Sequence, residues 1–430
     1  KLFSNLKRCA KVVRFRMTNI AWQKNASTSN TDRMQDLEKK VDELLTRGVA
    51  EVIDRDNLRK RLLSGEKLRI KLGIDPTSPN LHLGRSIPLL KLRDFQELGH
   101  QIVFIVGDFT GVIGDTSDKD SERPMLSEET IAENMKNYVE QAGKIIDITK
   151  AEVHSNSEWL GKLTYSEIGR QADAFSLSEF TSRENIKKRL DEGKRVSLRE
   201  LLYPLMQGYD SVAIQADVEL GGTDQRFNLL AGRHLQPLYD QKPQDILMGN
   251  LILGTDGRKM SSSWGNTINL LDSPNDMFGK VMSIPDELIV TYLVHCTRVP
   301  MEDVEKVEQE MKGGANPKNS KVFLAKMLVS MYHDEGAAEE AEKHFQNVFS
   351  EKGVPEEIIE RRSMAGEEII DIIVELEFAG SKGEARRLIE QGGVELNQEK
   401  VTDVKRALLP TENEAILKVG KRNFARILIP

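Results

Sequence analysis

Residues 68–115 read as strand, loop, helix, strand, loop, and few folds accept that order. Leu68-Arg69-Ile70-Lys71-Leu72-Gly73-Ile74 alternates apolar with polar side chains, as a half-buried strand does. Pro76, Pro79 and Asn80 then mark a loop. A helix is predicted over 82–98, with Pro88 early in it, where a missing N–H costs little. Ile102-Val103-Phe104-Ile105-Val106 is the unbroken apolar run of a buried strand and leads into the loop 107–115. Two strands joined through a helix predict a parallel α/β sheet. Ligands of such sheets bind where loops leave the carboxyl ends of the strands.

The rest of the chain adds to this unit. Its 430 residues are enough for two to four domains. Residues 34–63 read as one helix, 217–220 as a short strand, and Gly221-Gly222-Thr223-Asp224 as the opening of another helix. Residues 274–349 are helical in pattern, 353–366 read as a hinge, and 369–430 as a small final unit. The expected division is an extension 1–33, an α/β domain 34–270, a helical domain 271–350, a linker 351–368 and a final domain 369–430.

Cys9 and Cys296 are the only cysteines, which excludes a disulfide framework and a Cys-rich zinc site. No run of 18 apolar residues occurs, so no membrane span is expected. The formal charge is −7, yet residues 1–31 carry seven basic and no acidic side chains. That segment has the composition of an organellar transit peptide; translated upstream sequence, with Met34 as the start, is the alternative. Overall acidity argues against non-specific nucleic-acid binding, while a local basic surface on an acidic body can still grip one RNA selectively.

Three segments carry chemistry. In Leu81-His82-Leu83-Gly84-Arg85, His82 and Gly84 sit where a loop feeds a helix. A helix N-terminus offers unpaired N–H groups and positive potential to a polyphosphate. An imidazole N–H adds a donor, and a glycine lets a flat base reach the backbone. Alone, His82 could equally cap the helix. Lys259-Met260-Ser261-Ser262-Ser263 follows the turn signal Gly254-Thr255-Asp256-Gly257. A lysine and three hydroxyls can close over phosphates, or form a Ser-rich surface loop. Tyr203, Gln207 and Asp210 fall at i, i+4 and i+7 on one helix face. A phenol, an amide and a carboxylate are costly to bury without partners, and the alternative is a polar surface face, or Tyr203 packed in the core. Near the end, Ser381-Lys382-Gly383-Glu384-Ala385-Arg386-Arg387 reads as a short basic helix before a glycine turn and a strand.

The first two segments resemble the two nucleotide-handling signatures of class I aminoacyl-tRNA synthetases, and Leu72-Gly73-Ile74-Asp75-Pro76-Thr77 resembles the lead-in to the first. The Tyr203, Gln207, Asp210 spacing is similar to the tyrosine pocket of tyrosyl-tRNA synthetases. Nearly the whole chain from Met34 onward looks like a bacterial-type member of that family. Gly107-Asp108-Phe109-Thr110, Gly221-Gly222-Thr223-Asp224-Gln225 and the S4-like final unit all fit.

The resemblance implies a Rossmann-like catalytic domain, a helical anticodon-binding domain and an S4-like α+β RNA-binding domain. It implies ATP-dependent activation of L-tyrosine and its transfer to tRNA(Tyr), by a homodimer in the cytoplasm, or in an organellar matrix if residues 1–33 are a transit peptide. Thr77, His82 and Lys259 then match the catalytic positions. Asp75, Gly84, Arg85, Gly222, Asp224, Met260, Ser261, Ser262 and Ser263 join Lys259 around ATP, which brings Mg²⁺ with it; no protein metal site is expected. Thr110, Asp115, Tyr203, Gln207, Asp210 and Gln225 surround tyrosine, with Asp210 on the phenol. Lys382, Arg386 and Arg387 contact RNA phosphate. Lys71, where some members carry a second phenol reader, receives no role.

Two positions depart from the signatures. Arg85 stands where the first ends in His, and Ser262 where the second has Lys. One lost contact to a charged group is worth roughly 1.5–3 kcal/mol, which slows an enzyme without silencing it. Two rivals are a catalytically silent, RNA-binding relative and a tryptophan-activating sister enzyme; Asp210 and the S4-like end speak against the second.

Overall fold

The computed structural model describes residues 30–116, 125–349, 359–397, 399–409, 414–420 and 423–429. Most of the basic N-terminal extension and residues 351–358 of the expected linker lie outside the described residues. Two compact units emerge, divided between Ala338 and Glu339.

The first unit is built on a six-stranded sheet of order β1-β6-β5-β2-β3-β4. The strands are β1 Val49–Ile53, β2 Arg69–Ile74, β3 Gln101–Val106, β4 Glu152–Ser155, β5 Val218–Gly222 and β6 Asp245–Gly249. All neighbours are parallel except β1 and β6. From β2 the chain proceeds outward through β3 to β4, then returns to β5 and β6 on the other side of β2. The crevice between β2 and β5 is therefore the switch point where α/β sheets hold ligands.

Three expectations need correction here. The segment 34–63 is not one helix but α1 Asn30–Thr46, strand β1 and α2 Arg55–Leu63. Gly48 adopts φ +65, which ends α1, and the β-branched Val49, Val52 and Ile53 pair with β6. Strand β2 is not half-buried by alternation, because Lys71 is as fully buried as Ile70 and Leu72. Pro88 is the sixth residue of α3 Leu83–Glu97, past the first turn, so it removes a hydrogen bond that the Gly84 carbonyl would otherwise receive.

Helix α4 Leu198–Ala213 is started by a capping box between Ser197 and Glu200. It packs closely on α5 Arg226–Leu235. A Cβ on Gly208 would lie 2.9 Å from the Leu235 side chain and 3.0 Å from the Ala231 and Gly232 backbone, so glycine permits the approach. That contact fixes how Tyr203, Gln207 and Asp210 face the sheet. Helices then fill 274–349 as anticipated, from Pro274–Met282 to Glu335–Phe349.

The second unit holds a five-stranded sheet of order β7-β11-β10-β8-β9. Its strands are β7 Ile359–Arg362, β8 Val394–Leu396, β9 Glu399–Lys400, β10 Glu414–Val419 and β11 Asn423–Leu428, with helices α6 Ile369–Glu375 and α7 Lys382–Glu390. Ile369, Ile373, Ile389, Leu417 and Ile427 form its core. The expected hinge 353–366 is corrected in part: β7 pairs in parallel with β11, and Arg361 is tied to Glu367 and Glu375. Among the described residues, no helix is long and apolar enough to cross a membrane.

Candidate active site

A cleft of about 300 Å³ opens at the carboxyl ends of β2 and β5. Every residue assigned above to catalysis, ATP or tyrosine lines it, although they come from five separate stretches of chain. Lys382, Arg386 and Arg387 belong to the second unit, where both arginines are exposed on α7 and Lys382 pairs with Asp371.

One half of the cleft is a buried polar network. The Tyr203 hydroxyl donates to Asp75 Oδ2 at 2.7 Å, and Thr110 Oγ1 donates to Asp75 Oδ1 at 2.7 Å. Burial pushes the Asp75 carboxyl up to about 6, against these two hydrogen bonds. Asp75 thus keeps company with the residues expected around the amino acid. Gln225 Nε2 donates to Asp115 Oδ2 at 2.7 Å, and Asn228 Nδ2 donates to Gln225 Oε1 at 3.0 Å.

Asp210 lies at the floor. Trp159 Nε1 donates to its Oδ1 at 2.8 Å, and Asn156 Nδ2 reaches its Oδ2 at 3.3 Å. Burial raises its carboxyl to about 7, opposed mainly by the Lys71 ammonium. Trp159 and Asn156 escaped the sequence reading, for no motif marks the segment after β4. They become neighbours of Asp210 only because β3 and β4 lie side by side, which brings the loops after them to the same end of the sheet.

The other half is more open. His82 is the N-cap of α3 in extended conformation, yet its side chain makes no cap hydrogen bond, which removes the capping alternative. Its ring is buried and its Nδ1 has no hydrogen-bond partner among the described residues. Burial, aided by Arg85 and Lys259, lowers its pKa to about 3, so the imidazole is neutral across the physiological range. A Cβ on Gly84 would sit 3.0 Å from His82 Cε1, so this glycine also makes room for the ring.

Arg85 donates to the Thr77 hydroxyl at 2.9 Å, to the Asp75 carbonyl at 2.9 Å and to the Tyr138 hydroxyl at 2.8 Å. Ser262 meets Ser78 at 3.3 Å between hydroxyls. The two departures from the signatures therefore grip adjacent residues of one turn. The loop that carries Lys259 is laced by the buried Asn266, whose Oδ1 accepts from the Ser261 N–H at 2.9 Å and whose Nδ2 donates to Asp256 at 2.7 Å. Lys259 itself pairs with Asp224 at 2.9 Å.

Two family models match the chain: "tRNA synthetases class I (W and Y)" over residues 63–350, and "Tyrosine--tRNA ligase SYY-like C-terminal domain" over 344–427. A tyrosine--tRNA ligase of Carboxydothermus hydrogenoformans is 46% identical over 90% of this chain and 97% of its own length. One of Thermotoga maritima is 45% identical over 89% of this chain and 96% of its own. In fold, the chain is similar to a C-terminally truncated mitochondrial tyrosyl-tRNA synthetase of Aspergillus nidulans, with TM-score 0.60 and 22% identity over 74% of this chain and all of that one. Matched over about nine-tenths of its length by relatives at this identity, and with both signature segments and the Tyr203–Asp210 face gathered in one cleft, the chain belongs to the tyrosine--tRNA ligase family of class I synthetases.

Proposed function

We propose that the cleft activates L-tyrosine with ATP and passes the tyrosyl group to tRNA(Tyr). The observation that carries the reading is Asp210, a buried carboxylate that lines the pocket and is held by Trp159 and Asn156. Such a group accepts a hydrogen bond from a substrate phenol and is left short of one by phenylalanine. Asp115, Thr110, Tyr203 and Gln207 offer negative charge and acceptors to the ammonium. Gln225 then faces the carboxylate, which attacks the α-phosphorus of ATP and expels pyrophosphate.

The opposite half receives the triphosphate. Helix α3 turns its N-terminus toward it, with the neutral His82 and the Thr77 hydroxyl as donors to oxygens that gain charge. Gly222 and Asp224 are suited to the ribose, with Gly84 and Met260 beside the base. Lys259, Ser261, Ser262 and Ser263 close over the phosphates. ATP carries Mg²⁺ as its counterion. Rate comes from positioning and electrostatic stabilisation, without a covalent enzyme intermediate.

Partners follow from the same reading. Lys382, Arg386 and Arg387 supply salt-dependent contacts to tRNA phosphate. The helices between 165 and 202 leave Tyr165, Leu177 and Leu198 exposed, which suits a second copy of the chain. The reaction belongs in the cytoplasm, or in an organellar matrix if residues 1–33 direct it there.

Pyrophosphate exchange tests the reading. Exchange stimulated by tyrosine and not by tryptophan is expected. No exchange, with tyrosine and RNA still bound, would leave a silent RNA-binding relative; stimulation by tryptophan alone would reassign the substrate. The turn 77–78 gives a second test. Because Arg85 and Ser262 hold its two adjacent residues, Arg85→His and Ser262→Lys should be non-additive in exchange rate by about 0.5–3 kcal/mol. Strict additivity in the double variant would show that the two positions act separately.

A further inference from the structure

Strand β2 buries a lysine completely, beneath the pocket and with no part in the chemistry derived so far. Lys71 Nζ lies 2.9 Å from Glu219 Oε1 on β5, and donates to Ser211 Oγ and to the Gln207 carbonyl, each at 2.8 Å. Both partners on α4 flank Asp210: Ser211 follows it and Gln207 is one helical turn before it. Glu219 is itself saturated. It accepts from Ser211 Oγ at 3.0 Å, from Gln207 Nε2 at 3.2 Å and from Gln244 Nε2.

An ammonium held in this way cannot swing away, and in a dry interior it acts on any neighbouring carboxylate at full strength. The charged groups acting on Asp210 are Lys71 on β2 and Glu219 on β5; Asp75 and Asp115 act, as Asp210 does, on the Tyr203 phenol. Trp159 and Asn156 contribute neutral donors from the segment after β4. Helix α5, packed on the same helix, brings Ala231 and Gly232 against Gly208. Lys71 is thus a cation beneath the pocket, packed against the residues on either side of Asp210; it favours the charged form of that carboxyl, which Glu219 opposes.

We propose that Lys71 is a positioning residue for amino-acid recognition: clamped by Glu219, Ser211 and the Gln207 carbonyl, its ammonium keeps the Asp210 carboxylate in its charged, phenol-accepting form. This rests on Asp210 being the phenol acceptor. The device answers a conflict in the site. Excluding water sharpens discrimination but favours the neutral acid, which offers a proton where an acceptor is wanted.

The test is L-tyrosine binding to the full chain, measured calorimetrically between pH 5.5 and 9. In the parent protein binding should weaken below about pH 7, as Asp210 takes up its proton. In Lys71→Met this acid limb should move up by about one pH unit, giving roughly fivefold weaker binding at pH 7 and little change at pH 9. Glu219→Gln should move the limb down, and the double variant should fall between the parent and Lys71→Met.

If Lys71→Met does not fold, Glu219→Gln and the double variant still decide, since the double buries no lone charge. A uniform loss of affinity at every pH, with no displacement of the limb in these variants, would overturn the proposal. Asp210→Asn separates the two ideas. If it leaves the preference for tyrosine over phenylalanine intact, the phenol reading itself is wrong. If it abolishes that preference while the limb ignores Lys71 and Glu219, only the role of Lys71 is wrong.

Discussion

Replacing Asp210 by Asn is expected to collapse the preference for tyrosine over phenylalanine, read as the ratio of kcat/KM values in exchange. A site built on a substrate hydroxyl rejects the analogue lacking it by about 10⁴–10⁵-fold, a scale for which tyrosyl synthetases are themselves the standard case. The amide keeps one acceptor, so the expected fall is about 10³-fold. Two features of the pocket make the loss this large. Trp159 and Asn156 already direct donors at both oxygens, so an amide must turn one N–H toward a donor whichever way it lies. The group is buried, so water does little to repair the mismatch. An unchanged ratio in a variant that melts like the parent would remove Asp210 from recognition.

The second large effect is expected at His82. Substitution by Ala should lower the exchange rate about 10²–10³-fold, the usual cost of removing one preorganised donor to developing charge, while the KM for tyrosine stays within a few-fold. The ring is held beside Gly84 and Met260, so His82→Asn, which keeps a donor, separates lost chemistry from lost packing. Partial recovery in Asn supports the donor role; equal damage in both would point to packing. Because burial keeps the imidazole neutral down to about 3, its contribution should not vary between pH 5 and 8. An acid limb near 6.5 that vanished in His82→Ala would contradict that assignment.

The parts of the site that were readable from sequence had geometry written into their spacing. Tyr203, Gln207 and Asp210 share a face because the helix repeat puts them there, and Gly84 and His82 stand at a loop-to-helix junction in any parallel α/β unit. What escaped notice depends on contacts between segments distant in the chain. Trp159 and Asn156 reach Asp210 only once β4 has joined β3. Lys71 sits in an alternating strand, and alternation alone assigns a polar residue to the wet face. The partner that lets it stay inside, Glu219, is 148 positions away on a strand that joins β2 laterally. The strand Val49–Ile53 was hidden for a different reason: the leucine spacing of α1 reads on past Gly48, whose left-handed backbone stops the helix.

The ion pair between Lys259 and Asp224 bears on what ATP finds on arrival. In the resting molecule the loop cation and the carboxylate suited to the ribose are each other's counterion. Nucleotide binding is then a change of partners. In the proposed reaction Lys259 would give up one anion for another, and the carboxylate a cation for a pair of hydroxyls. Net affinity is the difference between two states that are both electrostatically satisfied, so ATP can bind with only moderate strength while its phosphates are gripped hard. A cofactor-like, near-permanent hold on ATP would thereby be avoided, as suits the proposed reaction, in which ATP is consumed and replaced in every cycle.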